Sequence, residues 1–173
     1  MGLKMSKKPK ATFRTAGTGP RAMVVFGPPG VGTSTVLQVL SEASETPNCI
    51  VPYIGPDSIP LIEEALQNVE VVLVDVEGGF FSPDDLQALV DAGILAAGGI
   101  GCIARLYTAD DVILERNAHR PDYVTREDLR EWSLEAVKLD EPARLHTISY
   151  VMVSNFDLEE AARVLALRAN LTR

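Results

Sequence analysis

The sequence predicts a three-layer α/β domain, a parallel sheet of about five strands with helices on both faces. Three observations lead there. From Arg21 onward, apolar strand-like runs alternate with helical patterns, the signature of repeated strand–helix–strand units. Residues 69–76 are nearly continuous in Val and Leu, as expected of a strand buried on both faces. The chain has 173 residues and 46% hydrophobic content, enough for one well-buried domain and too little for two large ones.

Residues 22–26 read as a short buried strand, followed by a glycine turn and a helix over 33–43 with Val36, Leu37 and Leu40 on one face. A second strand covers 49–54. Pro52 interrupts it and suits an edge position, because proline has no N–H for an inner ladder. A helix over 60–67 leads to the strand over 69–76. Ser82 caps the next helix, Pro83 fits its first turn, and Asp84 and Asp85 complement its dipole; it runs to about Asp91. A strand over 100–107 follows, and Thr108 with Asp110 and Asp111 opens a helix to about Ala118. Thr125 with Asp128 opens another, carrying Leu129, Trp132, Leu134 and Val137, with Trp132 expected in the core. The last strand covers 146–153, and Asp157 caps a C-terminal helix with Glu160 at its third position.

Residues 1–20 mix Lys, Ser, Thr, Gly and Pro and hold too little apolar surface to offset the entropy of ordering. They read as a disordered basic arm ahead of a domain over 21–173. The start, Met1-Gly2-Leu3-Lys4-Met5-Ser6, fits the loose myristoylation pattern, which six residues with two fixed positions also meet by chance. The first acidic residue is Glu42, so residues 1–41 carry +6 and the remainder −14. An acidic body repels phosphate, which excludes general nucleic-acid binding and confines any polyanion contact to the arm. No apolar run reaches membrane-spanning length and no secretory signal is visible, so a cytoplasmic location is expected. Cys49 and Cys102 each sit in an apolar run and read as reduced core thiols.

The sharpest local signal is the strand Val24-Val25-Phe26 running into Gly27-Pro28-Pro29-Gly30-Val31-Gly32-Thr33-Ser34-Thr35, which opens an amphipathic helix. This is the context of a phosphate-binding loop: glycines let successive backbone N–H groups curl around a phosphate. The expected sheet is therefore of P-loop NTPase type. Ser34 stands where a magnesium-binding hydroxyl belongs, for use only with a bound nucleotide. Thr33 occupies the position of the Lys that follows charge to the transferred phosphoryl group. Losing such a donor costs on the order of 100-fold or more in rate, so binding is better supported than catalysis.

These features together resemble a divergent, shortened guanylate kinase-like protein. Gly27 to Thr35 resembles that family's glycine loop apart from the missing Lys. Val72-Leu73-Val74-Asp75-Val76-Glu77-Gly78 resembles its central strand, with Asp75 at the matching acidic position. Tyr150 to Ala161 resembles its closing strand and capped helix, which implies that Asn155 lies beside the adenine of ATP. Two departures stand out. The family's GMP-gripping insertion is reduced to about two dozen residues, 41–64, with no Arg between Arg21 and Arg105, so the GMP site is expected to be lost and Tyr53 alone cannot replace it. Thr33 is the second.

Arg116, Arg120, Arg126 and Arg130 fall where the family carries arginines that close over phosphates, with a turn at Pro121-Asp122. Surface pairing with Asp122, Glu127, Asp128 and Glu131 is the alternative. For Asp75 the choice lies between orienting an acceptor or magnesium-bound water and capping a neighbouring turn. Gly78-Gly79-Phe80-Phe81 forms either a binding lip at a strand end or packing under the next helix. Gly99-Ile100-Gly101-Cys102-Ile103-Ala104 matches a dinucleotide fingerprint in letters, yet leads into a strand, so it is rejected. His119 and His146 lack a ligand cluster.

The sequence therefore points to a degenerate guanylate kinase-like, nucleotide-binding or protein-interaction module with little kinase activity. Its ligand would be ATP or another nucleotide with Mg2+. A protein partner would be engaged through the domain or the arm, and the arm could also touch an anionic membrane. The alternatives are an active nucleoside monophosphate or small-molecule kinase with another cation replacing the Lys, and a structural scaffold with an empty loop.

Overall fold

The computed structural model describes residues 21–97, 101–121, 124–169 and 171. The basic arm, Gly99-Ile100 and Asp122 lie outside them. Five parallel strands form one sheet in the order β2-β3-β1-β4-β5: β1 Arg21–Phe26, β2 Asn48–Tyr53, β3 Val71–Val76, β4 Gly101–Tyr107 and β5 Ser149–Ser154. Every residue of β3 is buried, as its nearly continuous Val/Leu composition requires. β2 is an edge strand, where the N–H missing from Pro52 interrupts no inner ladder.

Among the described residues, seven α-helices connect and cover the strands: α1 Thr33–Ala43, α2 Ile59–Leu66, α3 Pro83–Asp91, α4 Asp110–Asn117, α5 Arg126–Val137, α6 Asp140–Leu145 and α7 Leu158–Ala169. Side-chain alternation along β1 splits the core in two. Met23 and Val25 pack with Leu37 and Leu40 of α1 and Leu165 of α7. Val24 and Phe26 pack on the other face with Ile62 of α2, Leu86 and Leu89 of α3, Trp132 of α5 and Ala143 of α6. Ser82 and Thr125 each form a reciprocal capping box, with Asp85 and Asp128. Asp157 accepts from the Glu160 N–H at 2.8 Å, whereas the Glu160 carboxylate turns to Arg163.

Four expectations need correction. The last strand starts at Ser149 because α6 precedes it. Pro142 falls within that helix's first turn, where N–H groups have no intrahelical partner anyway, so it does not break it. Thr147 adopts φ 55°, and bonds from Thr147 N–H to Arg144 O and Ile148 N–H to Ala143 O close the helix as a Schellman turn. On α5, Leu129, Trp132 and Ala136 are buried, whereas Leu134 and Val137 are 61% and 56% exposed. At about 100° per residue, Leu134 lies about 200° around the helix from Trp132. α4 starts after Ala109 with no side-chain cap, and Thr108 is buried. Cys102 is buried, but Cys49 is only half-buried on the edge strand.

The α5 register makes a direct prediction. Leu129→Ala should cost about 3 kcal/mol in urea unfolding, and Leu134→Ala should stay within about 0.5 kcal/mol of the parent; equal costs would place the wrong face of α5 on the sheet.

Candidate functional site

The loop from Gly27 to Gly32 leaves the C-terminal end of β1 and enters α1. Gly30 and Gly32 have φ of 89° and 94°, a left-handed geometry that side-chain-bearing residues resist. The Val31 N–H closes a turn onto Pro28 O at 3.0 Å. Gly32 is the N-cap of α1, no side chain caps the helix, and its first turn contains no acid. The first N–H groups of α1 and the positive end of its dipole are thus available to an anion.

Three side chains from distant elements hold the loop by its carbonyls. Asn117 Nδ2 donates to Pro29 O at 2.7 Å and to Ile113 O at 2.8 Å. Arg116 Nη1 donates to Gly30 O at 3.0 Å and Val31 O at 3.2 Å. Asn155 Nδ2 donates to Val31 O at 2.6 Å, and the Asn155 N–H is itself anchored on Tyr107 O. In a trans peptide the carbonyl and the following N–H point oppositely, and the described residues contain no cis bond. Fixing the Pro29 and Val31 carbonyls therefore turns the Gly30 and Gly32 N–H groups away from these holders, without a protein acceptor among the described residues. The approach is close: a Cβ on Gly30 would lie 2.3 Å from Asn117 Nδ2.

Asp75, on β3 in register with Val25 of β1, is buried and accepts a hydrogen bond from Ser34 Oγ at 2.6 Å. Beyond it, Glu77–Gly79 form a 3-10 turn with φ 74° at Gly78 and 78° at Gly79. Trp132 Nε1 donates to Gly79 O at 2.7 Å, and a Cβ on Gly79 would meet Gly27 O at 2.6 Å. The β3 turn is thus pressed against the start of the loop, and Trp132, besides filling the core, pins it there. The two following aromatics separate: Phe81 is buried beside Phe26 and Tyr53, whereas Phe80 is 63% exposed. Tyr53 gives its hydroxyl to Asp85 at 2.9 Å; burial, reinforced by that carboxylate, raises its pKa far above the usual phenol value.

Loop, β3 turn and α4 enclose a cavity of about 950 Å³, at the upper end of the roughly 300–1,000 Å³ usual for small-molecule sites. Its lining includes Asn155, Phe156 and Leu158 from the segment after β5 and Asp75, Glu77 and Gly78 from the end of β3, strands that lie on opposite sides of β1. Thr33, Ser34 and Thr35 face it from α1. Of the expected arginines, Arg116 and Arg120 line it. Arg126 pairs with Asp111 on the surface and Arg130 is exposed, neither reaching the cavity. Asn117 and Glu77 are participants that sequence reasoning missed. Nothing in an Asn beside an Arg on a short acidic helix marks it as buried.

The Ser34 hydroxyl and Asp75 carboxylate are oxygen donors suited to Mg2+, which needs few protein ligands when phosphates supply others. Among the described residues no group of three or more His, Cys, Asp or Glu gathers to hold a metal, and no helix is long and apolar enough to cross a membrane.

No protein-family model matches the chain, and no curated protein does. Solved structures do. A gluconokinase from Sinorhizobium meliloti 1021 is 22% identical with a TM-score of 0.53, over 87% of this chain and 94% of that one. A shikimate kinase from Acinetobacter baumannii in complex with shikimate is 18% identical with a TM-score of 0.53, over 87% and 93%. The tunicamycin resistance protein of Deinococcus radiodurans is 14% identical with a TM-score of 0.59, over 88% and 97%. The chain shares the fold of these structures, a parallel sheet with helices on both faces.

The contact between Gly30 and Asn117 can be measured by a double-mutant cycle. Gly30→Ala should destabilise by about 2 kcal/mol or more through strain and overlap, and the loss should shrink when Asn117 is also Ala. A coupling energy below about 0.5 kcal/mol would show that the two sites act independently.

Proposed function

We propose that this chain is a nucleotide-dependent phosphotransferase of small-molecule kinase type, in which arginines of the α4 segment supply charge near the phosphates in place of the Lys absent at Thr33. The observation that carries the reading is the clamped loop facing a cavity that also holds the Ser34–Asp75 pair. Gly30, Gly32 and the start of α1 receive the phosphates through backbone N–H groups. Ser34 and Asp75 would hold magnesium, which when bound with a triphosphate neutralises charge on the phosphate oxygens. Arg116 places a cation directly against the loop, and Arg120 faces the same cavity with its planar set of donors.

Phe156 and Leu158 offer an apolar end for the base, with the Phe156 ring set edge-on to Tyr107. The Asn155 amide nitrogen is engaged by the loop, so in this reading Asn155 supports the nucleotide through the backbone. The guanylate kinase resemblance rests on the sequence of the loop, of the strand carrying Asp75 and of the segment after β5. It does not extend to an acceptor subdomain, because only four residues separate α1 from β2.

Thr33 favours a second reading, a nucleotide-sensing or protein-binding module without turnover. Calorimetric titration with Mg-ATP and Mg-GTP, followed by steady-state ADP or GDP release, separates the two. We expect Mg-dependent binding that Ser34→Ala and Asp75→Asn weaken at least tenfold, with measurable but slow turnover in the parent. Thr33→Lys should raise turnover by about 100-fold. Zero turnover in the presence of tight binding would select the sensing module, and no heat or thermal shift at millimolar nucleotide would remove both readings.

A further inference from the structure

Between Arg21 and Arg105 the chain contains eleven Asp and Glu and no Lys, Arg or His. The fold gives this one-sided composition a location. Those residues build α1, β2, α2, β3 and α3, and the sheet order puts β2 and β3 on one side of β1 and β4 and β5 on the other. The phosphate loop leaves β1 between the two halves.

In-line transfer requires the acceptor to approach the terminal phosphoryl group opposite its leaving oxygen, and so from the far side of the phosphates relative to the nucleoside. With the base at the apolar Phe156–Leu158 end, the acceptor enters at the β3 end. There Asp75 and Glu77 line the cavity. Parallel pairing also brings the segments that follow β2 and β3 to this rim of the sheet, with exposed Asp57 and Asp84 and the exposed Phe80 ring. No cationic side chain from this half of the molecule can meet an acceptor carboxylate or phosphate. An anionic acceptor would face like charge, whereas an amine would find carboxylates and an aromatic face.

We infer, resting on the phosphotransferase reading, that the acceptor is a hydroxyl-bearing cation, an amine-containing polyol of the amino-sugar class. The acceptor oxygen forms a bond to the γ-phosphorus of ATP while the bond from that phosphorus to the β–γ bridging oxygen breaks, releasing ADP. The hydroxyl proton is released to water. Glu77 is the carboxylate best placed to meet the amine, since Asp75 already accepts from Ser34 and Glu77 is exposed on the cavity wall.

The test titrates the protein with Mg2+ and a non-hydrolysable ATP analogue first, and then adds five probes: kanamycin, its fully N-acetylated derivative, and the anions gluconate, shikimate and GMP. Kanamycin should bind at least tenfold more tightly than the acetylated form, and only when the nucleotide analogue is present. With Mg-ATP it should gain a phosphoryl group detectable by mass spectrometry. Glu77→Gln should lower kcat/KM for kanamycin at least tenfold, and Glu77→Lys should shift preference toward gluconate. Kanamycin adsorption that ignores the nucleotide, equal binding of the acetylated form, preferential use of an anion, or no response to any probe would each overturn the inference. If the ATP analogue itself fails to bind, the phosphotransferase reading falls, and the inference with it; if the analogue binds and the cation arm fails, only the inference is lost.

Discussion

The planarity of three peptide groups underlies the site. Once the Pro29, Gly30 and Val31 carbonyls are held by Asn117, Arg116 and Asn155, the orientation of the following N–H groups is no longer free. A glycine-rich turn otherwise samples many conformations, and ordering it costs roughly 1–2 kcal/mol per residue. Here the ordering is done on folding, by groups outside the loop. A ligand therefore meets a shaped surface and does not have to shape it. The pressure of the Gly79 turn on Gly27, secured by the Trp132 indole, extends the same constraint to the strand that carries Asp75.

Charge is distributed in keeping with that arrangement. Thr33 removes a cation from within the loop, but Arg116 brings one to its outer side, where it also acts as a hydrogen-bond donor to two carbonyls. A guanidinium suits this double role because its donors are planar and fixed. One residue thus serves backbone geometry and electrostatics together, which ties the loop's field to the placement of α4.

Much of this was legible in the sequence because it follows from local rules. The nearly continuous apolar run of β3, Pro52 on an edge, the glycine turn into α1 and the Ser82 and Thr125 caps each rest on a few adjacent residues. So does Asp75 at the end of an apolar strand. What escaped depends on long-range placement. Asn117 becomes a loop holder only because α4 stops beside Pro29, and Arg126, outside the cavity lining, pairs with Asp111 on the surface. Leu134 and Val137 look like core by composition, yet helical geometry gives the buried face to Ala136. Helix α6 was hidden behind a proline that its first turn tolerates.

The three holders lie 86, 88 and 124 residues along the chain from the carbonyls they engage. Closing loops of that size is entropically unfavourable and comes late compared with local helix formation. A partly folded chain that has already paired β1 with β3 still lacks α4 and the segment after β5 at the loop. It would possess the glycines without the cradle. On the proposed reading, nucleotide recognition is therefore a property of the completed fold alone, and an emerging or damaged chain presents no phosphate site that could engage nucleotide prematurely.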